Sequence, residues 1–169
     1  MGSYLLTEIA VGLIEDHIKA NVSAALAAVR TDRGDGLVET PIPQSYFRFP
    51  QAHGYRPPAV FIIAEDFDFR LPDGPNHIHG LSKINVSVVV EERNRLLLKT
   101  RAWRYQAALA KLLNNTALTN SLDTVKIITK LVRFSFYQIE YNIKKRDTAE
   151  AAFREEVVLE LEVEHYEQI

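Results

Sequence analysis

The stretch FREEVVLELEVEHY, Phe153 to Tyr166, decides how the rest of the chain is read. Val157, Leu159, Leu161 and Val163 fall on one side, and Glu156, Glu160, Glu162 and Glu164 on the other. That two-residue period is the mark of a β-strand with one face packed and one face wet. Such strands belong to antiparallel sheets whose apolar face lies on another layer.

Upstream segments supply the sheet. Thr124 to Tyr137 forms a second strand, with Val125 and Ile127 followed by Val132, Phe134 and Phe136; the change of phase around Ile128 predicts a bulge or break. Ile139 to Glu150 is polar and basic, a connection. Ile78 to Glu92 is a long strand, with Ile84, Val86, Val88 and Val90 opposed to Lys83, Asn85 and Ser87. Ala59 to Ala64 is an apolar run suited to a buried strand. Asp66 to Asn76 continues it into a turn around Pro72-Asp73-Gly74-Pro75, completing a hairpin.

Two helices supply the second layer. From Ser3 to about Arg30, Leu6, Ile9, Leu13, Ile18, Val22, Ala25, Leu26 and Val29 recur at helical spacing, with Ser3 as a candidate N-cap. Gly12 costs about 1 kcal/mol there relative to alanine, which points to a close contact. Asn94 caps a second helix that runs to about Leu113 and closes at Asn114-Asn115. The expected fold is α+β: one domain over 1–169, a mostly antiparallel sheet of about four strands, and both helices on one face.

Thr31 to Pro58 breaks every period. It carries Gly34, Gly36, Gly54 and five prolines, together with Tyr46, Phe47, Phe49 and Tyr55. A loop this long in a small domain is usually functional or disordered. The aromatics favour an arm that packs on something, such as a neighbouring subunit.

Composition narrows the function. The chain has 169 residues, 47% hydrophobic and 25% charged, with a net charge of -2. This is ordinary globular composition with no basic field for nucleic acid. There is no cysteine, so disulfides, thiolate metal sites and a cysteine nucleophile are excluded. No apolar run is long enough to span a bilayer, and no basic segment followed by an apolar one suggests a secretory leader.

Chemical motifs are sparse. His77-x-His79 beside Asp73 offers two imidazoles where zinc needs three or four converging ligands. Asp66-x-Asp68 alternates with Phe67 and Phe69, the pattern of a solvated strand face. Gly34-Asp35-Gly36 neither follows a strand nor opens a helix, so it lacks the context of a phosphate-binding turn. Lys144-Lys145-Arg146 is a short basic run between Glu140 and Asp147. No catalytic residue, cofactor or metal site is expected.

Two features are unusual for a monomer. The second helix has a core stripe at Leu98, Ala102, Tyr105, Leu109 and Leu112, and a second apolar patch at Leu96, Trp103, Ala107 and Ala110. Another subunit or the long arm could cover that patch, and a partly exposed Trp is a favoured interface anchor. The last strand carries its glutamate row, extended by Glu155 and Glu167. It reads as a solvated sheet face or, in a ring, an acidic lining along which DNA slides without sticking.

The stretches Ile84 to Leu113, INVSVVVEERNRLLLKTRAWRYQAALAKLL, and Glu156 to Glu167, EVVLELEVEHYE, resemble the tail-terminator (tail-completion) proteins of long-tailed phages. Head–tail connector and neck subunits look alike. The resemblance covers most of the chain in order and spacing. It implies a non-catalytic virion protein, assembled in the host cytoplasm, that forms a ring of six subunits on the tail tube. Its implied partners are its own copies, the tail tube protein and the head-side connector or stopper, with the sheath as a further candidate. DNA would pass through without specific binding. The hairpin loop from Phe69 through Asp73 to His77 and the arm with Tyr46, Phe47 and Phe49 correspond to loops that reach neighbours. A small enzyme using Asp66, Asp68, His77 and His79, and a monomeric ligand-binding module, are the competing readings.

Overall fold

The computed structural model describes residues 6–34, 39–50, 54–70, 77–139 and 152–168, with backbone alone at 69, 70 and 77. Two helices cover one face of a six-stranded sheet, an α+β architecture. The elements in chain order are α1 (Leu6–Arg33), β1 (Ser45–Phe47), β2 (Ala59–Arg70), β3 (His77–Glu92), α2 (Arg95–Leu113), β4 (Thr116–Thr119), β5 (Val125–Ile139) and β6 (Phe153–Gln168). The spatial order is β1-β2-β3-β6-β5-β4. All neighbours are antiparallel except the β1–β2 pair.

Six strands replace the expected four. The two additions, β1 and β4, are short edge strands of three and four residues. Neither is long enough for an alternation to stand out. Pro43 and Pro50 bracket one, and asparagines at 115 and 120 bracket the other. The bulge in β5 is real but lies later than the expected Ile128, between Leu131 and Arg133. Val132 is the extra residue, so it belongs to neither alternation. A matching bulge interrupts β2 between Ala64 and Asp66.

β6 is the centre. It pairs with β3 along its whole length and with β5 from Arg154 to Glu167. Its helix-side face holds Val157, Leu159, Leu161 and Val163, all buried with Ile84, Val86 and Val88 of β3. α2 lies over β3, β5 and β6, and α1 packs on α2 and β2.

Helix ends are satisfied locally. Asn94 Oδ1 accepts from the Leu96 and Leu97 amides at 2.9 and 3.2 Å, the expected cap. At the other end, the Leu112 carbonyl accepts from Thr116 Oγ1 at 2.7 Å, and the Leu113 carbonyl accepts from Thr129 Oγ1 at 2.5 Å. These carbonyls have no partner within the helix, so the side chains tie α2 to the sheet below it. α1 runs three residues past its expected end and stops at Gly34, whose φ of 66° lies in the left-handed region.

Two glycines have different reasons. A Cβ at Gly80 would overlap the Phe67 ring, so only glycine lets that ring lie across β3. At Gly12 a Cβ would stand 3.6 Å from Arg48 Nη2, an ordinary contact. The arm does pack there, but it does not require glycine.

Polar groups also enter the core. Ser82 and His165 are 1% and 0% exposed, and Ser82 Oγ lies 2.5 Å from His165 Nε2. The Phe67 ring meets the imidazole edge-on, with centroids 4.9 Å apart. No substrate reaches this serine, so the pair is a core contact rather than a nucleophile and base. Burial, with a smaller contribution from the charge of His79, pushes the His165 pKa down to about 4.

Leu109 and Leu161 are 0% and 1% exposed at the helix–sheet interface. Truncating either to alanine is expected to cost about 2–5 kcal/mol by chemical denaturation. His165 gives a pH signature. The unfolded chain binds a proton below about pH 6.5, whereas the folded chain resists it down to about pH 4. This contribution is complete above pH 6.5 and is lost as pH falls through that window, on the order of 3 kcal/mol in all. His165→Gln should lose correspondingly less stability than wild type between pH 7 and pH 4; equal losses would place the titration elsewhere.

Candidate subunit interface

α2 has an exposed flank. Leu96 is 73% exposed and Trp103 51%, whereas Ala107 and Ala110 are half-buried against the core. The second patch therefore divides: its C-terminal half packs inside the chain and its N-terminal half faces out. Lys99, three residues after Leu96 and four before Trp103, shares their flank. It pairs with the buried carboxylate of Glu155 and stands 5.9 Å from the Phe136 ring of β5. The Trp103 flank thus overhangs the β5 side of the sheet. The arm meets α2 elsewhere: the Glu39 carbonyl accepts from Arg101 Nε at 3.1 Å, and the Pro41 carbonyl accepts from the Tyr105 hydroxyl.

The arm packs largely within its own chain. β1 lays Tyr46 toward the helices, with Lys19 Nζ 4.9 Å above its ring, and Phe47 toward the opposite, open face of the sheet. There Phe47 stacks on Phe61 at 5.2 Å, and Tyr55 meets Phe61 edge-on at the same distance. Together they bury Ala59, Phe61 and Val89 at one end of the open face. Phe49 touches only the edge of this cluster and stays exposed. Arg48 reaches back to α1, where its Nε lies 2.6 Å from Glu15 Oε2. Burial alone would raise the Glu15 pKa, but hydrogen bonds from Lys19 and Arg48 outweigh it and leave the carboxyl below its ordinary value.

The hairpin candidates are placed only in part. Phe69 and His77 lie at the facing ends of β2 and β3, and Asp73 lies outside the described residues. His79 stacks on Tyr166 at 4.7 Å. Asp66 accepts from the Lys83 amide at 3.2 Å, and Asp68 is exposed beside it. Lys144, Lys145 and Arg146 also lie outside the described residues. Among the described residues, no group of three or more His, Asp or Glu converges as a metal site.

The glutamate row is shorter than its sequence suggested. Glu156, Glu160, Glu162 and Glu164 do share the open face. Glu155 and Glu167 do not extend it: they share the phase of Val157 and Val163 and are buried on the helix side. Their odd numbers already place them in that phase. The row is also flanked by cations. Arg133 Nη2 lies 2.5 Å from Glu160 Oε1, and Glu162 sits opposite Lys83 on one side and Lys130 on the other. Glu164 accepts from the Tyr166 hydroxyl at 2.6 Å.

A cleft of about 930 Å³ runs between the last turns of α1 and the arm, lined by Leu26, Arg30, Pro41 and Ile42 among others. A shallower one of about 440 Å³ lies between His17, Asn21, Lys111 and Thr116. The first also includes Glu39, so its charged lining groups are Arg30 and Glu39. No helix among the described residues is long and apolar enough to cross a membrane.

No family model matches the chain, and no curated protein matches it. Among solved structures, the chain is similar to one from the virion of a native gene transfer agent (GTA) particle. The TM-score is 0.52 at 17% identity, over 96% of this chain and 99% of that chain. At this identity the likeness shows a shared fold, carried end to end in both proteins.

Proposed function

We propose that this chain is a structural subunit of a phage-like particle, acting as a tail terminator whose ring caps the tail tube and joins it to the head-side connector. The observation that carries this is the match to a virion chain over nearly the full length of both. The half-exposed Trp103 and exposed Leu96 support a role in assembly, because tryptophan is a favoured interface anchor. A ring of six copies, with the tail tube protein below and the connector above, is the form the resemblance to tail terminators gives this role. Assembly in the host cytoplasm and residence in the virion follow from it.

Trp103→Glu tests the reading. The side chain lies off the core, so the variant should keep its circular dichroism spectrum and its melting temperature within a few degrees. In a subunit contact the new carboxylate would be desolvated without a partner. Tail tubes assembled with the variant should therefore lack a terminal ring and grow to uncontrolled lengths. Tubes of normal length with heads unattached would instead favour a connector or neck position. Normal particles would remove Trp103 from any assembly contact.

A further inference from the structure

The sheet has two open edges of unlike chemistry. Among the described residues, β4 borders β5 only over Lys126–Thr129, and β1 borders β2 only over Ala59–Phe61. The rest of each strand, Leu131 to Ile139 on β5 and Ile62 to Arg70 on β2, has no described strand on its outer side. Such edges are templates for another strand unless bulges or charges blunt them. Each edge has one bulge, but beyond it the ladder is regular, over Arg133–Ile139 and Asp66–Arg70.

Their side chains are complementary. On the open face, β2 presents Asp66 and Asp68, and β5 presents Lys130 and Arg133. On the helix side, Phe134 is 46% exposed, although its cross-strand neighbour Leu159 is fully buried. The apolar flank of α2 with Trp103 overhangs this same side.

We propose that β5 of one copy pairs with β2 of the next, setting Arg133 against Asp68, and that repetition of this contact closes the sheets of a ring into one continuous barrel. The closure rests on the proposed ring; the contact itself needs only two copies of this chain.

The topology permits the contact and fixes its register. β2, β3, β6 and β5 are four successive antiparallel strands, so β5 runs antiparallel to the β2 of a copy laid beside it. The helices stay on one face, and only an even stagger keeps side chains on their proper faces. Arg133 shares a cross-strand row with Glu160, Asn85 and Ile63, whereas Asp68 lies opposite Leu81. Their pairing therefore needs a stagger of four residues (85 − 81). β4 demands the same value, and β1 of the neighbour, which borders Phe61, ends the contact at Gln138. Arg70, at the end of β2, lies in the row of His79; Thr116, at the end of β4, lies in the row of Thr129, Val163 and Ser82. A stagger of two drives the neighbour's β2 into β4, and four brings the two ends together. Four residues are about 13 Å along the strands, against about 19 Å across four strand spacings. A closed sheet with that stagger tilts its strands by about 35°, the tilt typical of β-barrels.

The chain has no cysteine, so introduced thiols are unique. In the proposed register Ser135 lies opposite Asp66. Asp66→Cys and Ser135→Cys proteins, each checked for native circular dichroism, are mixed and oxidised. The mixed disulfide should exceed either homodimer several-fold, and the double variant should give a ladder of oligomers. Adding Arg133→Glu to the Ser135→Cys chain should lower the mixed product several-fold, and Asp68→Arg in the partner should restore it. Homodimers as abundant as the mixed product, no disulfide in concentrated protein, or a charge reversal that is not restored would overturn the contact. Should Arg133→Glu not fold, the cysteine pair alone decides. The cross-link does not depend on any particle, and the Trp103→Glu assay does not depend on this register, so the two proposals fail separately.

Discussion

One constraint organises this fold: β6 must be paired on both sides and covered on one face. Its alternation of valine and leucine with glutamate suits only a strand inside a sheet that has water above it and helices below. β3 and β5 supply the pairing, and α2 lies directly over the join. The polar exceptions follow from position. Glu155 is buried because it shares the phase of Val157, and Lys99 descends from α2 to neutralise it. A buried carboxylate without that cation would be costly, so the contact also fixes how α2 sits on the sheet.

Much of this was legible in the residues. The caps of α2, the extent of β6 and the stripe through Leu98, Ala102, Tyr105 and Leu109 all follow from period and capping chemistry. The misses have physical causes. β1 and β4 are too short to show a period, and they exist because a longer strand offers them a ladder. The bulge at Val132 lies beyond Ile128, where the sequence alternation breaks, because Ile128 is simply an apolar residue on the open face. The Ser82–His165 contact joins residues far apart in the chain, and no spacing rule brings them together. Of the proposed assembly surface, the sequence marks Trp103 and Leu96 but not the open edges, which depend on where neighbouring strands stop.

The arm shows how one segment can be polar in composition and still well anchored. Its aromatics straddle the sheet edge, with Tyr46 under the helices and Phe47 on the open face, while Arg48 clasps Glu15. Covering part of an edge in this way leaves the remainder defined. β1 at one end and β4 at the other turn two long edges into two short, offset ones. A specific contact needs such limits as much as it needs attraction.

The central place of β6 also orders events in time. It is made after every other element described, yet it stands between β3 and β5 in the finished sheet. During synthesis the β2–β3 hairpin and the β4–β5 pair can form, but they cannot join until residues 153–168 have emerged. Until then each presents a bare ladder to its surroundings, the condition under which nascent sheets aggregate or pair wrongly. A chain lacking this one strand would have no continuous sheet. Closure of the sheet thus waits for residues 153–168, and copies lacking them are left as two separate ladders.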